Sequence, residues 1–458
     1  MKPVLDTGFR PMLLELRAFE QEVQAAPHQE IAISVVRENG YTETRKLTVY
    51  QDGVNDARNC FILERYAKTL LWCYGGYLII VSGSRVIYEC LKEAYQPGGA
   101  RAFDENFMAI HFEQPFQVEY RESVADAPAT KRNSNAVGRH LEGCRIGFDA
   151  GGSDRKVSAV IDGEAVYSEE VIWHPKLSED PEYQYQGILE SMKTAASKMP
   201  RVDAIGVSSA GTFRNNLIRH SSLFIKVPRD LIESRVKTMY LDVAKEFGTD
   251  VPIEVANDGD VTALAGAMDM NANCVLGIAM GTSEAGGYVD EQGNITGWLN
   301  ELAFVPVDAN ADAMVDEWSG DYGCGVKYFS QDAVIKLAPA AGIELDAQAT
   351  PAEKLKAVQQ LMAQGDERAK RIYESIGVYF GYSVAWYAQF YNIEHVLVMG
   401  RVTSGEGGVI LLETAQKVLN SEFPELAHKI QLDIPDESSR RVGQSIAAAS
   451  LPALRRNV

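Results

Sequence analysis

Residues 149–156 read Asp149-Ala150-Gly151-Gly152-Ser153-Asp154-Arg155-Lys156. The run Arg145–Asp149 before them reads as a strand, and Lys156–Ile161 reads as the next one. A strand therefore delivers a carboxylate into a turn that has no bulky side chain. Glycines in such a turn let backbone N–H groups approach a phosphate, and Ser153 adds a hydroxyl donor. Lys156 supplies a positive charge, and Asp149 is placed to hold Mg²⁺ directly or through water. The competing reading is a plain hairpin turn with a surface lysine.

Three further junctions repeat the theme. Met280-Gly281-Thr282-Ser283-Glu284-Ala285-Gly286-Gly287-Tyr288 follows the strand Val275–Ala279 and again ends a strand in small residues and hydroxyls. Val396-Leu397-Val398-Met399-Gly400-Arg401-Val402 is a buried strand opening onto glycine, with a helix expected from about Gly408. Such an end suits a nucleotide base or ribose. Glu254-Val255-Ala256-Asn257-Asp258 is a strand that ends in an amide and a carboxylate. An aspartate there is placed to take a proton from a hydroxyl as it attacks a phosphate, with Asn257 orienting the hydroxyls. The alternative is a helix cap ahead of a helix at Val261–Met270, for which Asp260 is the better-placed residue.

The rest of the pattern is α/β. A hairpin is expected across Asp162-Gly163 between Lys156–Ile161 and Ala165–Ile172. Helices are expected over Tyr185–Lys198, Arg229–Phe247 and Asp366–Tyr391, and strands over Ala204–Ser208 and Ile253–Ala256. Strand–glycine junctions that recur in this way predict two similar halves.

Composition removes other classes. The 458 residues hold 44 Lys and Arg against 63 Asp and Glu, a net charge of −19, with 46% hydrophobic residues. That is globular, long enough for two or three domains, and unsuited to phosphate-backbone binding as the main activity. The longest apolar run, Thr69–Val81, is shorter than the roughly 20 residues of a membrane span. Asp6, Arg10 and Glu15 interrupt any signal peptide. Six widely spaced cysteines without a CxxC pair indicate free thiols and a cytoplasmic location. There is no GxxxxGK[ST], GxSxG or HExxH motif, and the seven histidines lack metal-ligand spacing.

Residues Ala125–Gly138 are small and polar and read as a linker. Before them the pattern predicts a small α/β domain. Its strands are Ile31–Val36, Lys46–Tyr50 and Tyr77–Val81, its helices Arg58–Cys73 and Arg85–Tyr95. One or two strands are expected over Phe107–Tyr120, interrupted at Pro115. Residues 1–140 hold sixteen Lys and Arg and eighteen Asp and Glu, a net of −2, which offers no footprint for DNA. The stretch Leu70–Val81, with Trp72, Tyr74 and Tyr77, is rich enough to form either the domain's own core or an interface.

Five ordered segments, Asp149–Lys156, Ile205–Gly211, Ile253–Asp258, Gly281–Gly287 and Val396–Gly400, resemble the ROK family of sugar kinases and sugar-responsive repressors, over about residues 144–455. That resemblance implies the two-lobed, actin-like (ribonuclease H-like) α/β fold. The expected division is an N-terminal α/β domain over 1–140, one lobe over 141–257 with a C-terminal helix at about 440–455, and a second lobe over 258–439. It implies Asp258 as catalytic base and Asn257 and Glu301 as sugar ligands. It also implies Asp149, Gly151, Gly152 and Ser153 as the first phosphate loop, Gly281 and Thr282 as the second, and Gly400 beside the adenosine.

The departures shape the expectation. Ser222 stands where the family commonly has a sugar-binding Asn, Val326 where it has a Glu, and Phe304 where it has a zinc-binding His. Across Glu317–Val326 only Cys324 remains of three thiols, so no structural zinc is expected. Glu284 brings a charge into the second loop. The leading expectation is a cytoplasmic, dimeric ATP- and Mg²⁺-dependent sugar kinase that uses neither nucleic acid nor membrane. A sugar-sensing regulator without turnover, and a scaffold whose N-terminal domain does the work, are the alternatives.

Overall fold

The computed structural model describes residues 1–132, 137–435 and 437–454. Its internal contacts divide the chain into two units. Unit 1 comprises Met1–Asn133, Ile278–Gly286 and Trp298–Ile434; unit 2 comprises Ser134–Gly277, Gly287–Gly297 and Pro435–Val458. Both are mixed α/β, as the two-lobed fold requires.

The N-terminal part of unit 1 is a four-stranded sheet of β1 (His28–Val36), β2 (Thr42–Tyr50), β3 (Leu78–Ser82) and β4 (Gln117–Arg121), in the order β2-β1-β3-β4. β1 pairs antiparallel with β2 and β3, and β3 runs parallel to β4. Asn39 and Gly40, both at positive φ, make the β1–β2 turn. Ser84 caps the helix Arg85–Ala94 by accepting from the Ile87 amide. Two readings change here. Residues 102–112 are helical, not extended: Asp104, Met108, His111 and Phe112 are buried at helical spacing, and only Gln117–Arg121 forms a strand. A helix also runs over Met12–Gln24, with Met12, Leu13, Leu16, Phe19 and Val23 on its buried stripe. At Lys131 the linker lies along β2: Lys131 and Thr42 exchange backbone hydrogen bonds at 2.9 Å. Residues 133–136 of that linker lie outside the described residues.

Unit 2 is built on β5 (Cys144–Ala150), β6 (Asp154–Ile161), β7 (Glu164–Ile172), β8 (Ala204–Ser209) and β11 (Ile253–Asn257), with a small hairpin of β9 (Thr212–Arg214) and β10 (Leu217–His220). The sheet order β11-β8-β5-β6-β7 places the first strand at the centre, the antiparallel pair on one side and the parallel pair on the other. This is the ribonuclease H-like arrangement. Ile146, Phe148, Val157, Ile188, Met192, Ile205, Val207 and Tyr240 fill its core. The C-terminal helix Glu437–Ala449 crosses the sheet so closely that a Cβ at Gly147 or Gly206 would collide with the carbonyl of Ser445 or Ala448. The expected helix over Arg229–Phe247 breaks into shorter turns, with Met239–Lys245 its last regular piece.

The second sheet, β13-β12-β14-β15, consists of β12 (Val275–Met280), β13 (Glu284–Val289), β14 (His395–Met399) and β15 (Gln431–Asp433); β14, β15 and residues 278–280 and 284–286 fall in unit 1. Helices Glu367–Tyr387 and Glu406–Glu422 pack together through Gly377 and Gly381. Within this unit the N-terminal part shares a core with the rest. The Trp72 ring lies 4.4 Å from Phe304 and 4.8 Å from Phe107. The Tyr74 hydroxyl donates to the Phe390 carbonyl. Asp321 receives three buried cations: Arg65 at 2.6 Å, Lys68 at 2.8 Å and Arg101 at 2.9 Å. The aromatic stretch is thus both the small sheet's own core and an interface.

Candidate functional site

In unit 2 the parallel strands β5, β8 and β11 end side by side. Their register sets Asp149 beside Ser208, Ala256 beside Ser208 and Asn257 beside Ser209. Groups at adjacent C-terminal strand ends are where open α/β sheets bind ligands.

Asp149 is 5% exposed. Its Oδ1 accepts from the Ser208 hydroxyl at 2.7 Å and from Gln444 Nε2 at 3.2 Å. Its Oδ2 lies 4.0 Å from Lys156 Nζ. Burial pushes the Asp149 carboxyl up to about 6, against the pull of the Ser208 hydrogen bond and Lys156. The first loop follows directly. The Gly151 amide donates to the Asp154 carbonyl at 3.0 Å, and Gly152 and Ser153 are exposed. The Trp173 indole donates to the Gly151 carbonyl at 2.8 Å, and the Trp173 amide to the Ser153 carbonyl at 3.1 Å, so the end of β7 braces the loop. Lys156 Nζ lies 2.9 Å from Asp154.

β11 runs to Asn257, and the following helix starts at Asp258, three residues earlier than the sequence indicates. Asn257, not Asp260, is the cap: its Oδ1 accepts from the Gly259 amide at 2.7 Å and its Nδ2 donates to the Gly211 carbonyl at 2.7 Å. Asp260 is buried and accepts from the Tyr288 amide at 3.1 Å instead. Asp258 is half-buried, and the Gly259 amide donates to its Oδ1 at 3.1 Å. Among the described residues no side chain hydrogen-bonds to that carboxylate. Burial raises the Asp258 carboxyl, partly offset by the Gly259 amide and the charge of Lys176. Its own charge raises Asp149 in turn. Ser222 is half-buried in the turn Ser222–Phe224, behind Ser221, whose hydroxyl donates to the Ala210 carbonyl at 2.6 Å.

In unit 1, Gly281 and Gly400 come together. Gly400 has φ +101°, and a Cβ there would collide with the Met280 carbonyl. The Gly281 amide donates to the Ser283 carbonyl, and Thr282 is exposed. Glu301 precedes the turn Leu302–Phe304, its amide donating to the Trp72 carbonyl at 3.0 Å. The charge expected in the second loop turns inward instead. Glu284 is 3% exposed, and among the described residues neither carboxylate oxygen has a hydrogen-bond partner. Burial pushes it well above the usual carboxylate range and Glu301 adds to the effect, while the Tyr387 phenol opposes them.

Each position of the family's metal cluster is otherwise engaged. Phe304 packs on Trp72, and the Ser319 hydroxyl donates to Asp316 at 2.7 Å. Glu317 pairs with Lys327, and the buried Cys324 thiol is pushed up to about 12 by burial. Among the described residues no group of three or more His, Cys, Asp or Glu is arranged to hold a metal, and no helix is long and apolar enough to cross a membrane.

Sequence reasoning missed Ser208, Gln444 and Trp173. Ser208 ends β8 as Asp149 ends β5, so aligning the strand ends would have found it. Gln444 and Trp173 reach the site only through tertiary packing.

A model of the ROK family matches residues 145–448. Among solved structures, a ROK hexokinase from Thermus thermophilus superposes with a TM-score of 0.52 at 19% identity, covering 66% of this chain and 97% of its own. A ROK family transcriptional regulator, described as a homologue of the E. coli MLC protein, gives 0.52 at 17% identity, covering 68% of this chain and 79% of its own. A comparison with curated proteins returned no match.

Proposed function

The chain belongs to the ROK family, and on that premise we propose that it is a kinase moving the γ-phosphoryl group of ATP onto a hydroxyl of a sugar or sugar derivative. The observation that carries the reading is the row of groups at the ends of β5, β8 and β11: Asp149, Ser208 and Asn257-Asp258. Asp258 takes the proton of the attacking hydroxyl. Its raised affinity for a proton suits it to that step near neutral pH. Asn257 and Ser222, both in unit 2, hold the sugar hydroxyls. On the same unit, Gly151, Gly152 and Ser153 meet the phosphates. Asp149 fits Mg²⁺ directly or through water, because Ser208 and Gln444 orient one oxygen and, among the described residues, Oδ2 accepts no hydrogen bond. The ion would neutralise charge developing on the transferred group.

The test is ADP release by the full chain with MgATP and a panel of hexoses, amino sugars and N-acetylated sugars, for wild type and Asp258→Asn. Turnover that depends on one sugar and is lost in the variant supports the reading. Equal turnover in both removes Asp258 from its role. The second reading, a sugar-sensing regulator, is favoured by Phe304 packed against Trp72 where the family has a zinc-binding histidine. Sugar binding without any ADP release would select it.

A further inference from the structure

The first glycine turn carries two lysines in unit 2, and they are not equivalent. Lys156 is engaged by the protein itself, 2.9 Å from Asp154 and 4.0 Å from Asp149. Lys176 comes from the turn Pro175–Leu177, after β7, and is exposed. Its side chain lies over the loop: a Cβ on Gly152 would stand 2.9 Å from Lys176 Cε and 3.2 Å from its Nζ. Among the described residues its ammonium has neither an ion-pair nor a hydrogen-bond partner, and the Gly152 amide has no acceptor.

The backbone that presents Lys176 is fixed to the same loop. Trp173, three residues earlier, ties to Gly151 and Ser153 through its indole and its amide. Gln184 Nε2 donates to the buried Pro175 carbonyl at 2.9 Å. The Lys176 ammonium therefore lies beside Gly152 with no carboxylate in ion-pair contact among the described residues, although its charge reaches Asp258. A compact anion placed there gains a charge-assisted hydrogen bond without breaking a protein ion pair. At Lys156 the same anion would compete with two aspartates.

We propose that Lys176, rather than Lys156, is the cation that receives the phosphoryl oxygens of the nucleotide at the first glycine turn. The assignment rests on the nucleotide reading of that loop. The charge of Lys176 also reaches Asp258, where it offsets part of the effect of burial.

The experiment is calorimetric titration of MgATP into the full-length wild type, Lys176→Ala, Lys176→Arg and Lys156→Ala, with melting temperatures recorded for each. A hydrogen bond to a charged group predicts a loss of roughly 10- to 100-fold for Lys176→Ala. Lys176→Arg should recover most of it, and Lys156→Ala should lose less than Lys176→Ala. Added salt should weaken wild-type binding more steeply than that of Lys176→Ala. If the wild type binds MgATP and Lys176→Ala binds it equally well, the assignment is overturned while the nucleotide reading stands. A larger loss in Lys156→Ala returns the role to Lys156. If the wild type binds no MgATP, the nucleotide reading fails and this assignment with it.

Discussion

Two clusters of buried charge are handled in opposite ways. At the ends of β5 and β11, Asp149 and Asp258 are pushed upward by burial, and among the described residues no arginine pairs with either. In unit 1, burial also pushes Asp321 upward, but Lys68, Arg65 and Arg101 outweigh it and hold the carboxyl well below the usual range. A carboxylate matched by cations is fixed as an anion and serves structure. One left short of cations keeps an affinity for protons and metal ions, which chemistry can use. Asp321 lies in Glu317–Val326, the stretch in which the resemblance led three thiols to be expected and only Cys324 stands. Cations from residues 65, 68 and 101 hold that segment here.

The sharpest way to break the comparison is to exchange each aspartate for a neutral residue. Asp258→Asn should lower turnover by about 10² to 10⁴, the usual value of a general base, with the melting temperature nearly unchanged. Asp321→Ala should do the reverse. Removing one member of a buried pair leaves its partners uncompensated, typically at about 3–5 kcal/mol. Chemical denaturation should show that loss, together with exposure of Trp72 to quenchers, because its ring lies in the same seam. If Asp258→Asn destabilises the fold and Asp321→Ala does not, the assignment of roles is wrong.

A smaller effect tests the uncompensated side by pH. Asp149 binds its proton up to about pH 6, well above an unfolded aspartate. Metal and phosphate binding need the anion, so kcat/KM for MgATP should fall as pH drops through about 6. Bound Mg²⁺ favours the ionised form, so the acid limb of kcat should lie lower. Because the charge of Asp258 adds to the rise at Asp149, the limb also depends on the ionisation of Asp258. A flat kcat/KM between pH 5 and 7 would contradict the burial of Asp149.

Where the sequence was readable and where it was not follows the distance over which each signal acts. The turn at Gly151-Gly152, the hairpin at Asp162-Gly163 and the strand end at Asn257 are written in neighbouring residues, and all are present. The helix over Ala102–Phe112 was misread because Phe107, Ile110 and Phe112 carry strand propensity and Pro115 suggested a break. Its burial repeats at helical spacing, so tertiary packing decided. The Asp321 cluster joins residues 65 and 321, and no local pattern announces such a pair. Lys176 has the same character, because its meaning depends on β7 folding back onto the first loop. The inward turn of Glu284 was hidden too, since a strand residue faces the core or the solvent by register alone.

The smallest effect comes from Glu284, which separates the two cases within unit 1 itself. It is as buried as Asp321, and among the described residues no cation pairs with it. Burial and Glu301 raise its pKa well above the value of an unfolded glutamate. A raised carboxyl contributes its stability fully below the unfolded value of about 4.5 and loses it as pH rises toward the folded value. Wild type should therefore lose stability relative to Glu284→Gln as pH increases from about 5 to 9. The slope is the informative quantity, because the buried amide of the variant has its own unsatisfied groups and shifts the absolute difference. Melting temperatures of the two proteins across that range should diverge in favour of the variant at high pH. Parallel curves would mean that Glu284 gains a cation or water on folding, and that buried charge is matched throughout unit 1.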